Sequence, residues 1–163
     1  MAVQARPGTA RRVPRAAAAI LALAWLMTGC GSDIDAAQTI QTGGLLRDRA
    51  SGAPVNATVR NLPSAQVAET SMPGLCKAPF RSGLLDGRVL CTVAGGNRLA
   101  SSEWQAGRKH GTETLWFGQT GHLASRTEWH DGQRHGLQEH YDNSGALTAS
   151  AQWEHGRLLS EQR

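Results

Sequence analysis

Residues 128–136 read EWHDGQRHG and residues 103–111 read EWQAGRKHG. Both stretches carry Glu, Trp, Gly, His and Gly at the same places. A third, QWEHGRLLS at 152–160, keeps the tryptophan and the first glycine. Taken alone, the middle stretch could be a metal or catalytic loop, since it sets two histidines around an acid, an arginine and a glycine. Its recurrence argues for architecture instead, because fixed-period self-similarity marks stacked supersecondary units. Trp104, Trp129 and Trp153 are 25 and 24 residues apart.

The segments between the tryptophans alternate in the manner of half-buried strands. In LTASAQW, Leu147, Ala149, Ala151 and Trp153 point one way while Thr148, Ser150 and Gln152 point the other. LASRTEW does the same with Leu123, Ser125, Thr127 and Trp129. TETLWF and LQEHY are expected to be shorter strands. FGQTG, YDNSG and the W-x-x-G segments supply glycines where hairpin turns need positive φ. A single hairpin cannot bury its own apolar face, so the units are expected to stack into one sheet. Leu99 to Trp104 is one residue shorter than the matching spans, which predicts a bulge or irregular edge in that copy.

The recurring aromatic, Y-D-x-x-G-x-L and W-x-x-G-x-x-x-G pattern resembles the variant MORN repeat of bacterial antitoxin-like proteins. The resemblance covers residues 83–163, with DGRVLCTVAGGNRL (Gly87, Leu99) as a degenerate first half-copy. It implies an all-β fold, an antiparallel meander of repeated hairpins. Its functional implication is weaker, because the repeat is a scaffold.

Ahead of the repeats the chain has a different character. Arg6, Arg11, Arg12 and Arg15 precede an uninterrupted apolar run, Ala16 to Met27. Twelve residues fall short of the about 20 that a membrane-spanning helix needs. A basic n-region, a short apolar run and small residues before a cut site are the parts of an export signal. LMTGC, ending at Cys30, resembles the lipobox of bacterial lipoproteins, in which that cysteine is acylated and becomes the new amino terminus. An ordinary secretory signal with an incidental cysteine is the alternative. By the same resemblance, Gly31 in place of an aspartate favours the outer membrane, facing the periplasm. The expected division is a signal peptide over 1–29, a flexible tether over 30–74 and a repeat domain over 75–163. The tether is inferred from composition. Residues 31–74 are rich in Ala, Gly, Ser, Thr, Pro and Asn, and no apolar period lasts.

The precursor's net charge of +4 comes from the four signal arginines, so the remainder is balanced and its composition gives no support for nucleic-acid binding. Cys76 and Cys91 form an even pair in an exported chain, which predicts a disulfide; a redox or metal pair is disfavoured by the absence of C-x-x-C spacing. All six histidines fall in the repeats. His110 and His135 share a repeat position, so the histidines are expected to spread along the sheet as turn and surface residues, with no metal or cofactor. No nucleophile elbow, phosphate loop or zinc-protease motif is present, and no enzymatic activity is expected.

The periodic aromatics and neighbouring arginines are the candidate binding surface: Trp104, Trp116, Trp129, Tyr141, Trp153, Arg108, Arg126 and Arg134. Aromatic and arginine side chains dominate protein-binding hot spots. The expected partner is another protein, a toxin or effector by the antitoxin resemblance, with the membrane reached through the lipid anchor. An envelope-structural role, contacting peptidoglycan or lipid head groups, is the competing reading.

Overall fold

The computed structural model describes residues 32–68 and 70–163. The expected signal peptide and the lipidation residue Cys30 lie outside them. Among the described residues the fold is all-β, with two single 3₁₀ turns, Ala36–Gln38 and Ser64–Gln66. No helix among them is long and apolar enough to cross a membrane.

Fourteen strands follow in chain order: β1 (Asp33–Asp35), β2 (Thr39–Thr42), β3 (Leu45–Asp48), β4 (Ala57–Pro63), β5 (Leu75–Arg81), β6 (Leu84–Leu85), β7 (Gly87–Thr92), β8 (Arg98–Gln105), β9 (Arg108–Lys109), β10 (Gly111–Trp116), β11 (Leu123–His130), β12 (Gln133–Tyr141), β13 (Leu147–Glu154) and β14 (Arg157–Gln162). Twelve of them make one sheet ordered β1-β4-β5-β7-β8-β10-β11-β12-β13-β14, with β6 beside β5 and β9 beside β8. The pairings are antiparallel except β1 with β4. Strands β2 and β3 form a separate hairpin.

The two-residue turns explain the first glycine of each unit. Ala106-Gly107, Asp131-Gly132 and His155-Gly156 all have positive φ at both positions, near 48° and then near 80°. Two successive left-handed residues define the type I′ turn, whose twist matches that of the strands it joins. EWHDGQRHG is therefore a hairpin, with His130 paired to Gln133 across the turn. Ser82-Gly83 adopts the same conformation between Arg81 and Leu84. Phe80 takes the tryptophan's place there, so the hairpin series begins one full unit earlier than the tryptophans indicate. The turns also bond to one another. Gly107 N donates to Leu85 O, Gly132 N to Lys109 O and Gly156 N to Arg134 O, at 2.8–2.9 Å. Each turn thus rests on the residue two places beyond the preceding turn's glycine.

The second glycine has a different cause. Gly87, Gly111 and Gly136 lie directly opposite Trp104, Trp129 and Trp153 on the neighbouring strand. At the other end of the strands a bulge recurs in every unit, leaving Leu99, Ala124 and Thr148 without a partner. The irregularity expected only for the first copy is a property of all of them. Arg98 stands where Leu123 and Leu147 stand later. The pairing also matches Tyr141 to Trp116, rather than to Phe117, because the loop after β10 carries one more residue than the loop after β12.

The core lies on the face that carries Phe80 and the three tryptophans. Val59, Leu62, Cys76, Ala78, Val89, Cys91, Leu99 and Ala100 are buried there with Leu46, Val55 and Val67. Cys76 and Cys91 are cross-strand partners in β5 and β7, with their sulfurs at bonding distance. Each is at most 2% exposed.

Residues 33–63 correct the expectation of a tether. They supply four strands, and their sparse apolar residues complete the core: Leu46 N bonds to Gly83 O, and Gly83 N to Val55 O. A segment that covers an existing apolar face needs only a few well-placed side chains, whereas the compositional argument presumed it must form a core alone. Its alternation is also broken, because Asn61 has φ of 60° and the β4–β5 register shifts between Val59 and Leu62.

Candidate functional site

Registered pairing places one cross-strand pair of each hairpin in a row across the sheet. Phe80 pairs with Leu85, Trp104 with Lys109, Trp129 with Arg134, and Trp153 with Leu158. Aromatic side chains thus alternate with aliphatic or cationic ones along a single line. Lys109 Nζ sits 4.5 Å from the centroid of Trp129, and the Arg134 guanidinium lies 5.8 Å from Trp129 and 5.0 Å from Trp153. Cations over an indole face gain from its quadrupole, and more when desolvated.

A second line behind the first receives the indole N–H groups. Trp129 Nε1 donates to Glu113 Oε2 at 3.2 Å and Trp153 Nε1 to Gln138 Oε1 at 2.8 Å. Glu113 and Gln138 are repeat equivalents. Val89 holds that place in the preceding unit and cannot accept, so Trp104 Nε1 donates to Ser102 Oγ at 2.8 Å instead. Lys109 and Glu113 form a buried ion pair, 2.8 Å apart and 8% and 5% exposed. Arg134 and Gln138 occupy the same two positions one unit later, and Leu85 and Val89 one unit earlier. The face therefore grades from aliphatic through a buried ion pair to a half-buried cation and amide.

The apolar cluster reaches Trp104 and Leu115 and no further. Beyond it, Trp129, Arg134 and Trp153 are half-buried. They form the best-defined candidate surface.

The eight residues expected to make one surface do not do so. Trp104, Trp129, Arg134 and Trp153 share the tryptophan face. Arg126 belongs to the opposite face, where it lines a shallow groove with Trp116, Thr112, Thr114 and Glu103. Tyr141 lies on that side too, near Glu139 and Arg126; loss of solvation first, and then a hydrogen bond to Glu139, raise its phenol above the ordinary tyrosine range. Arg108 is exposed and pairs with Gln105 beside the turn. The split follows from strand parity, since residues an odd number of places apart on a regular strand face opposite ways. Lys109, a cation that the sequence sets beside the aromatics with Arg108, Arg126 and Arg134, belongs to the tryptophan row. Its signal was legible: it stands two places after the turn glycine, as Arg134 does.

The histidines divide. His122 bonds through Nδ1 to Asn143 O at 2.7 Å in the loops at the bulge end, and His140 lies in β12 opposite Ala149. His110, His130, His135 and His155 instead form a row at the turn end, with consecutive ring centroids 4.9, 5.8 and 5.0 Å apart. The expectation of imidazoles spread one unit apart considered each repeat separately. Adjacent strands are only about 4.8 Å apart, so histidines at one height on consecutive strands meet. Among the described residues, no three His, Cys, Asp or Glu side chains converge as a metal-holding group.

Compared with known protein families, the chain matches no family model. No curated protein matches its sequence.

Proposed function

We propose that the chain is a protein-binding module of the bacterial cell envelope, held by an acylated Cys30 at the periplasmic side of the outer membrane. Its tryptophan face is the binding surface. The partner is a toxin or effector directed at the envelope, neutralised by being covered, the role that the antitoxin-like MORN resemblance suggests.

The observation that supports this reading is the row Trp129, Arg134 and Trp153. It continues the line of the core beyond the cover that residues 33–68 supply, and it combines the aromatic and guanidinium groups that carry most binding energy in protein interfaces. A flat sheet face suits a folded partner better than a small substrate.

The test is affinity capture from envelope extract with the tagged chain, beside Arg134→Ala and Trp153→Ala. One stoichiometric protein, lost from both variants while their melting stays cooperative, supports the reading. Recovery of murein or lipid alone rejects it and favours an envelope-structural role.

A further inference from the structure

We propose that the imidazole row at the turn end is a surface site for borderline divalent transition-metal ions, Cu²⁺ above all, with Ni²⁺ and Zn²⁺ as weaker occupants. Its inner pair is His110 and His130, and His135 with His155 forms the outer pair.

Three observations carry this. The first is proximity: rings 4.9 Å and 5.0 Å apart on backbone held by the sheet and its turns are already gathered as pairs. Imidazole is the side chain best suited to copper, nickel and zinc alike, and copper leads the affinity order of the divalent ions. The second is orientation. Asp131 sits between the inner rings, its Oδ1 3.6 Å from His110 Nδ1 and its Oδ2 3.8 Å from His130 Nδ1. His110 Nδ1 is shielded from solvent and has no hydrogen-bond partner, so this carboxylate is what it faces. A carboxylate behind Nδ1 favours the tautomer with the proton there. The attraction of the carboxylate for a proton on Nδ1 leaves Nε2 of each ring as the lone-pair donor. The third is support. Asp131 is the first residue of the type I′ turn, so its backbone is set by the hairpin and by the Gly132 N to Lys109 O bond, independently of any ion.

The site is a chelating pair on an exposed ridge, with water completing the coordination. Among the described residues, no third His, Cys, Asp or Glu completes a metal-holding group there. Such a pair has an open position for an exchangeable ligand, unlike the closed four-ligand shell of a structural zinc. Binding changes no covalent bond and needs no co-reactant. It does not depend on the tryptophan face, which lies on the other side of these strands.

The experiment uses the full chain, purified in mild detergent without a polyhistidine tag and titrated with Cu²⁺ at neutral pH. Isothermal calorimetry gives the affinity, and electron paramagnetic resonance gives the ligand nitrogens. The expected result is two saturable steps, a weaker one at the outer pair and a tighter one at the inner pair, with two nitrogen ligands; the variants are read on this tighter step. His130→Gln weakens it at least tenfold, Asp131→Asn weakens it less, and His122→Gln and His140→Gln leave it unchanged. Melting curves of the metal-free variants confirm that each is folded. An unchanged affinity in the His110→Gln, His130→Gln double variant overturns the proposal. So does a loss shared equally among all six histidines, which is adventitious binding.

Discussion

Gly136 stands directly opposite Trp153 across the β12–β13 pair, and the carboxylate of Glu128 fills the space where a side chain at 136 would begin. Glu128 Oε2 uses that space to accept a hydrogen bond from Leu137 N at 2.9 Å. Gly111, Trp129 and Glu103 repeat the arrangement one unit earlier. The E-W-x-x-G-x-x-x-G pattern is thus one device spread over two strands: Glu103 before Trp104 and Glu128 before Trp129 each reach across the glycine that faces the next tryptophan.

Alanine at Gly136 is therefore expected to be costlier than alanine at Gly145. Both glycines have φ near 90°, 98° and 89°, but a Cβ at Gly145 meets nothing within 4 Å. The left-handed backbone costs a non-glycine residue roughly 1–2 kcal/mol at either place. At Gly136 the Glu128 carboxylate must also move and release Leu137 N, adding about 1.5–3 kcal/mol for a hydrogen bond to a charged group. Urea denaturation of the two variants checks the order. Equal losses would mean that the glutamate moves aside freely.

The buried ion pair predicts a non-additive result. Removing one charge, as in Lys109→Met or Glu113→Gln, leaves the other buried at about 3–5 kcal/mol. The chain already contains an apolar version of the same two positions, Leu85 and Val89. Lys109→Leu with Glu113→Val is expected to cost less than either single change. Trp129 Nε1 then loses its acceptor, but Thr127 stands two residues before it as Ser102 stands before Trp104, so a hydroxyl is at hand. A double-mutant cycle by thermal or urea unfolding measures the coupling. A double variant less stable than both singles would show that the pair does more than compensate its own burial.

How much of this was readable beforehand follows from which residues carry local rules. Positive φ at Gly107, Gly132 and Gly156 is a demand made within one hairpin, and W-x-x-G announced it. The alternation of Ala149, Ala151 and Trp153 placed a face without any knowledge of its neighbours. The hairpin at Ser82-Gly83 escaped because Phe80 replaces the tryptophan and Leu85 replaces the cation, although the spacing to Gly107 was intact. Residues 33–63 escaped for a physical reason: their stability is borrowed from a face formed by residues 75–105. The surface was assembled from residue types alone, and strand parity, upset by the bulges at Ala124 and Thr148, decided which of them could meet. The histidine row depended on inter-strand distance, which no period along the chain expresses.

Three hydrogen-bonded aspartates contribute to the acid limb of stability. Hydrogen bonds from Ala37 N and then Asn61 lower Asp35 below the ordinary carboxyl value. The Ser51 hydroxyl and backbone N–H lower Asp48. The Ser144 hydroxyl and then Ala146 N lower Asp142. A group whose folded pKa is depressed contributes stability that is whole above its unfolded pKa and is lost as pH falls through the folded one. Melting temperature is thus expected to hold from pH 7 to about 5 and to fall steadily below about 4. Asp142→Ala should be less stable at pH 7 and show a shallower acid decline. A variant parallel to the parent throughout would remove Asp142 from the account.

The Cys76–Cys91 bridge closes a loop with a sequence separation of 15. On the chain-entropy argument that stabilises by about 3 kcal/mol. Both sulfurs lie in the core where β5, β7 and the covering segment meet, so Cys76→Ser with Cys91→Ser also places two hydroxyls among apolar side chains. Alanine is the cleaner substitution. The paired alanine variant is expected to lose about 3 kcal/mol in urea denaturation, as is the reduced parent. Because each repeat leans chiefly on its neighbours, the loss should fall on residues 33–105 first. Hydrogen exchange then shows β4, β5 and β7 opening while the Trp129 and Trp153 hairpins stay protected. Uniform loss of protection across all strands would instead mean that the covering segment and the repeats fold as one cooperative unit.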